Sequence, residues 1–203
     1  GSEMCIRDRG KFIVKENTSG GMRAANINVV SGERSVRYQV IQYDVDDMLG
    51  LWNGQFNDLE AAYALENVDI QKQADGTYTL SNILTDAPCV LRGYASENCL
   101  AFPAGQNTGF DSGLYFFFQL VDADGYFVRS KYKTITLGPV MQSDGSYVLA
   151  FGGVKDTDPL AFALRMYEDE NMEIPYESLF VPTVYYYITV SYTHLTLPTT
   201  ERV

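Results

Sequence analysis

The chain has one histidine, His194, one tryptophan, Trp52, and three cysteines in 203 residues. So little imidazole turns the reading away from histidine-dependent chemistry. Positive charge is also scarce: Lys plus Arg number 15 against 26 Asp plus Glu, a net charge of -11. Such a surface repels a phosphate backbone, and no basic patch offsets it, so nucleic-acid binding is disfavoured. The longest apolar runs, Leu114 to Phe118 and Val184 to Ile188, fall far short of the roughly 20 residues of a membrane-crossing helix. No Gly-rich phosphate loop of the Walker or Rossmann type occurs. What is present is apolar and aromatic. A 46% hydrophobic content with only 20% charged residues supplies a core, and 15 Tyr, 11 Phe and 17 Gly lean toward β structure.

The two ends do not read as protein. Gly1-Ser2-Glu3-Met4-Cys5-Ile6-Arg7-Asp8-Arg9 resembles the translation of a sequencing adapter, GGC TCG GAG ATG TGT ATA AGA GAC AG. Val190-Ser191-Tyr192-Thr193-His194-Leu195-Thr196-Leu197-Pro198-Thr199 resembles the partner adapter in reverse, GTC TCT TAT ACA CAT CTG ACG CTG CCG AC. Residues 1–9 and 190–203 are accordingly expected to be artefacts, excluded from fold reasoning and loosely attached, since they were never selected to pack. The insert keeps a net charge of -11, because as many acids as bases lie in the two ends. It holds no histidine and only Cys89 and Cys99 as thiols. Any signal segment is expected to lie outside the fragment.

Within the insert, Ala25, Ile27 and Val29 alternate with polar residues, Ser31-Gly32-Glu33 breaks the run, and Val36, Tyr38 and Val40 alternate again. That is a hairpin. Two strands are not stable alone, so residues 10–45 read as the end of a larger sandwich. The stretch Glu16-Asn17-Thr18-Ser19-Gly20, then Arg23-Ala24-Ala25-Asn26-Ile27-Asn28-Val29, Ser31-Gly32 and Val40-Ile41-Gln42 is similar to the closing strands of BACON modules. These are immunoglobulin-like β-sandwiches on surface and secreted proteins of gut bacteria. The family's Arg-x-Ala-x-Ile-x-Val and terminal Val-x-Gln are both matched, with Ala24 and Ala25 where Ser or Thr and then Ala are usual. The resemblance covers about 25 residues. It implies a truncated immunoglobulin-like hairpin, an extracellular or cell-surface setting, and neighbours that handle carbohydrate or adhere.

Residues 46–189 read as a second, all-β module, an antiparallel sandwich or barrel. Asp75-Gly76, Asp124-Gly125 and Asp144-Gly145 each sit between strand-like runs as hairpin turns. Ser96-Glu97-Asn98, Glu168 to Asn171, Gly50 to Gly54 and Pro103 to Gln106 supply further turns. The unequal intervals exclude a fixed-period solenoid. Gly76 to Asn82 and Pro103 to Gln106 also resemble uncharacterised surface modules that follow BACON domains. Between Asp58 and Glu66 a short helix competes evenly with a strand. From Leu160 to Tyr167 a strict period of two favours a strand, although Asp158-Pro159 looks like a helix start. Tyr115-Phe116-Phe117-Phe118 reads as a central strand buried on both faces. Tyr185-Tyr186-Tyr187 reads as an edge or central strand.

An insert without histidine excludes Ser-His-Asp and Cys-His catalysis and any imidazole zinc site. Two cysteines are too few for a zinc centre, and they read as free thiols rather than a disulfide, because a turn at Ser96 to Asn98 sets Ala95 opposite Cys99. No cofactor and no metal are expected. The turn acids do not match an EF-hand spacing and read as solvated turn residues. Paired carboxylates keep one enzyme class open, a glycan-active hydrolase, with no pair identifiable. The leading expectation is a non-catalytic surface or secreted binding and display protein, its partner a glycan or a host or cell-surface protein; a structural spacer is the third alternative. Should a glycan bind, the expected site is an aromatic platform bordered by amides and acids. Trp52, Asn53, Gln55, Asn57, Asn107, Phe110 and Asp111 carry that mixture, provided two loops meet at one end of the module. Trp52 itself reads first as a core plug.

Overall fold

The structure is a computed structural model that describes residues 13–57, 62–83, 89–121, 127–128, 132–152, 161–176 and 189–192. Among them it is all-β and antiparallel, with one 3-10 turn at Val45–Met48 and no α-helix.

The hairpin forms as the alternation predicts. Strands β1 (Arg23–Ser31) and β2 (Arg34–Gln42) pair in continuous register from Arg23 opposite Gln42 to Ser31 opposite Arg34. Gly32, at φ 61°, takes the left-handed conformation that the tight turn needs. Its polar face leans on the main body: Arg37 Nη1 donates to Ser143 O at 3.2 Å and Gln39 Nε2 to Gln142 O at 3.2 Å. The opposite face, with Val29, Val36 and Tyr38, stays exposed.

The remaining strands are β3 (Gly50–Asn57), β4 (Ala62–Lys72), β5 (Tyr78–Ser81), β6 (Val90–Ser96), β7 (Cys99–Pro103), β8 (Gln106–Asp111), β9 (Leu114–Val121), β10 (Phe127–Val128), β11 (Thr134–Met141), β12 (Tyr147–Gly152), β13 (Ala161–Tyr167) and β14 (Thr189–Tyr192). Eight of them close a barrel in the order β11-β12-β14-β3-β4-β5-β6-β7, with β7 returning to β11. Closure removes the free edges of the sheet. In a second sheet, β9 lies between β13 on one side and β8 and β10 on the other.

Register explains the core. Ile70, Leu80 and Leu91 stand opposite one another across β4, β5 and β6, and Leu100, Leu137 and Phe151 do so across β7, β11 and β12. All six point inward and are buried. Phe116, Phe118, Leu120 and Leu164 of the second sheet, and Met48 from the 3-10 turn, join the same cluster.

Local chemistry fixes the turns. At the β4–β5 turn Asp75 Oδ1 accepts from Thr77 N at 2.9 Å, and at the β11–β12 turn Asp144 Oδ1 accepts from Ser146 N at 2.9 Å. Each is followed by a glycine at positive φ. Asp124-Gly125 lies outside the described residues, as do Asp158-Pro159 and Tyr185 to Tyr187. The expected turn at Gly50 to Gly54 is instead strand β3; the register shift between Trp52 and Gly54 comes from a bulge on the partner strand β4, where Glu66 and Asn67, the latter at φ 55°, stand against the single residue Asn53. From Ala62 onward the helix-or-strand segment is strand, while 58–61 lie outside the description.

Residues 189–192 depart from the expectation of loose ends. As β14 they bridge β12, at Leu149 and Ala150, and β3, from Trp52 to Gln55. Two open edges supply unpaired N–H and C=O groups, and backbone pairing with them does not depend on side-chain identity. Residues 1–12 and 193–203 lie outside the described ones.

Cys89 and Cys99, the two cysteines among the described residues, are free. Cys99 faces Ser96 across the two-residue Glu97-Asn98 turn, one position from the expected Ala95. Burial pushes the Cys89 thiol up to about 12, leaving it an inert packing group.

On the surface, the Asp46 carboxylate accepts from Lys72 Nζ at 2.7 Å and from the Tyr78 hydroxyl, the Lys72 bond being the larger cause of its lowered pKa. A lowered acid pKa stabilises the fold above the ordinary carboxylate range, and that contribution disappears as pH falls through the folded-state value. Asp46→Asn is therefore expected to lower the urea midpoint slightly at pH 7 and by less in acid below the ordinary carboxylate range. Urea titrations at both pH values check this; an unchanged difference at low pH would refute it.

Candidate functional site

The composite site around Trp52 is not assembled. Trp52 is 1% exposed and its indole Nε1 donates to Met48 O at 3.0 Å inside the core. An indole enclosed in this way offers no face to a ligand, so the platform reading is corrected to the core reading. Position 52 faces inward because its register partner Val68 does. Asn53, opposite the β4 bulge, is exposed. Gln55 and Asn57 lie further along β3, their side chains outside the description. Asn107, Phe110 and Asp111 belong to β8 in the other sheet.

That second group does lie in a structured environment. In an antiparallel sheet, residues directly opposite one another share a face. Phe110 on β8 is opposite Tyr115 on β9, and Tyr115 is opposite Tyr167 on β13. Three aromatic side chains thus form one row across three strands, on the face turned away from the barrel core. Phe110 is 58% exposed, and its ring centroid lies 4.7 Å from that of Tyr115 in a tilted stack. Tyr115 is half-buried and Tyr167 fully buried. The row therefore descends from solvent into the protein. Asn107 is exposed on the same face one row further in, opposite Phe117, whereas Asp111, opposite Leu114, belongs to the other face of β8. Asn107 Oδ1 accepts from Gly109 N at 3.0 Å around the β8 bulge, and Asp111 Oδ2 accepts from Ser112 Oγ at 3.1 Å.

The next row inward holds Phe117 opposite Arg165, followed by Gln119 on the same face of β9. Phe117 packs edge-on against Tyr167 at 5.6 Å. The Arg165 guanidinium lies over Phe127 at 4.4 Å and over Tyr167 at 5.5 Å from the ring centroids. Gln119 is fully buried, and its Nε2 donates to Tyr167 Oη at 3.0 Å and to Met172 Sδ at 3.5 Å. Its Oε1, and the buried Nε of Arg165, meet no partner. Sequence reading placed both residues on strands but gave them no role, because a Gln and an Arg in alternating strands look like ordinary solvent-facing positions.

A second concavity lies where the hairpin meets the body, lined by Glu16, Asn17, Gln42, Tyr43, Asp44, Asp47 and Asn98. Its aspartates are engaged in turn chemistry. Asp44 Oδ1 accepts from Asp46 N at 3.1 Å, and Asp47 Oδ2 accepts from Asp44 N at 2.8 Å. Where a carboxylate pKa moves, at Asp46, Asp75, Asp144 and Asp169, it moves down. Hydrogen-bond donors lower the first three; at Asp169 desolvation raises the value, and the backbone N–H groups of Ile174, Glu173 and Asn171 more than offset it. A general acid needs the opposite shift. Among the described residues, no cluster of three or more His, Cys, Asp or Glu is arranged to hold a metal ion.

Comparison with known proteins leaves the argument on these residues, for no family model, no curated protein and no solved structure matches the chain.

Proposed function

We propose that the chain is a non-catalytic binding and display protein of a bacterial surface or secreted assembly, and that it holds a glycan on the outer face of its second sheet. The observation that carries this reading is the aromatic row Phe110, Tyr115 and Tyr167, exposed at one end, with the exposed Asn107 on the same face. Sugars present apolar C–H faces ringed by hydroxyl groups, and an aromatic ring near an amide complements both. Phe110 is more than half exposed and stacked on Tyr115, so an aromatic face is open to a ligand at this end of the sheet. The surface setting rests on the BACON-like hairpin sequence.

The test is a glycan array followed by titration calorimetry on the best ligand. Phe110→Ala is expected to weaken binding about tenfold, the worth of one stacked aromatic contact of roughly 1.5 kcal/mol, while the urea midpoint stays near the parent's. Release of reducing ends from the bound glycan would instead favour the carboxylate-enzyme alternative. No binding to any glycan would leave the spacer.

A further inference from the structure

We propose that the inner end of this face is a subsite for a carboxylate-bearing sugar, a hexuronate residue, with Arg165 as the group that recognises it. The proposal rests on the glycan reading above and names the ligand class.

Three observations converge on one place. The first is the state of Arg165. Among the described residues its guanidinium meets no carboxylate: the one ion pair there joins Lys72 to Asp46. Its Nε is buried without a partner, and its only described contacts are the rings of Phe127 and Tyr167. An arginine donates through five N–H groups in a rigid fork, a geometry that fits a carboxylate with two parallel bonds. A guanidinium stacked between rings is oriented in advance, so less side-chain freedom is lost when an anion arrives.

The second is Gln119, the diagonal neighbour of Arg165 on β9. It is fully buried, yet Oε1 has no donor. Turning the amide over exchanges the atoms without removing the deficit, since the other heavy atom then lacks a partner. A buried amide left half-satisfied is costly to the fold, and such a deficit calls for an explanation, an unmet ligand contact being one.

The third is continuity. Phe117, opposite Arg165, follows Tyr115 on the same face of β9, two residues or about 7 Å along the strand. Arg165 itself is on β13, two strands across from Phe110 and one row further in, so an oligosaccharide seated on Phe110 reaches the guanidinium by passing over Tyr115. Arg165 also lies in a chain of net charge -11, where most cations would be expected to find an acid. The nearest acids in sequence do not serve it. Asp169 directs both carboxylate oxygens to the N–H groups of Asn171, Glu173 and Ile174, and Glu168, Glu170 and Glu173 are exposed.

The experiment compares hexuronate tetramers, neutral hexose tetramers of the same linkage, and sulfated tetramers, titrated into the whole chain. The expected result is hexuronate binding at least about tenfold tighter than the neutral series, as one charge-assisted bidentate contact provides. Arg165→Met should erase that preference and leave neutral binding intact, and Arg165→Lys should restore only part of it, because an ammonium keeps the charge and loses the fork. Raising salt from 0.05 to about 0.5 M should weaken hexuronate binding to the parent protein and not neutral binding; this holds the test even where Arg165→Met fails to fold. Equal affinity for hexuronate and neutral tetramers, with Phe110→Ala still weakening both, overturns the carboxylate subsite and spares the glycan reading. Preference for the sulfated tetramer over hexuronate overturns it in favour of a sulfate ester. No binding by any tetramer overturns both.

Discussion

Trp52→Ala is expected to cost about 3–5 kcal/mol of folding free energy, the range for removing a large buried aromatic side chain. Set against a total of about 5–15 kcal/mol for a typical domain, that is enough to leave much of the chain unfolded at ambient temperature. Two losses combine. The indole fills the core beside Val68, which is fully buried on the opposite strand, and its removal opens a cavity that strands held on both sides cannot collapse around. The Nε1 bond to Met48 O also disappears, leaving a carbonyl of the 3-10 turn without its indole donor. Trp52→Phe separates the two, since it keeps most of the volume and deletes only the hydrogen bond. Urea denaturation followed by circular dichroism is the measurement, because Trp52 is the chain's only tryptophan and its replacement removes that fluorophore. A shift below about 1 kcal/mol for Trp52→Ala would contradict the core assignment.

Trp52 also marks where sequence reading reaches its limit. The hairpin, the Asp75-Gly76 and Asp144-Gly145 turns and strands β9 and β13 were legible because their causes are local: an aspartate that binds the N–H two residues on, a glycine at positive φ, side chains alternating with period two. Barrel closure was not. It depends on β7 meeting β11 and β14 meeting β3, contacts between segments far apart in sequence, and nothing in either strand specifies its partner. Gly50 to Gly54 looked like a turn because glycine density marks turns, and only its pairing with β4, Gly50 with Ile70 and Gly54 with Leu65, shows it to be strand.

The site divides in the same way. Asn107, Phe110 and Asp111 were grouped because they cluster in sequence beside a turn. Their union with Trp52 failed because the tryptophan faces inward on a strand of the other sheet. Tyr167, Arg165 and Gln119 were not grouped with Phe110 because the rows that bring them near it run across strands, perpendicular to the chain. Positions 110, 115 and 167 have no common spacing. β13 shows why alternation alone misleads: Leu164 faces the core while Arg165 and Tyr167 stack with aromatics on the other face, so both faces of the strand are occupied and neither is simply solvent.

The barrel interior carries a second point of low tolerance, at Gly93. A Cβ added there would lie 2.6 Å from Ala101 O and 2.8 and 2.9 Å from two ring atoms of Phe102. Gly93 occupies an inward position on β6, between buried neighbours, where the absence of a side chain admits the Phe102 ring against Phe151. Mutation can trim the ring, but the carbonyl is fixed. Ala101 sits in β7, paired with Tyr94 on one side and Thr136 on the other. Moving its oxygen means disturbing ladders that close the barrel. Gly93→Ala is therefore expected to cost about 2–3 kcal/mol, the upper range for overpacking, and Gly93→Val to prevent folding. Adding Phe102→Leu should not rescue Gly93→Ala, since the backbone contact remains. Gly138 is the control. A Cβ there meets Cys99 Sγ at 2.8 Å, a half-buried side chain that can rotate away, so Gly138→Ala should cost less than about 1 kcal/mol. Urea midpoints of the four variants decide the matter, and equal costs at positions 93 and 138 would mean that the β6–β7 ladder yields as readily as a single thiol.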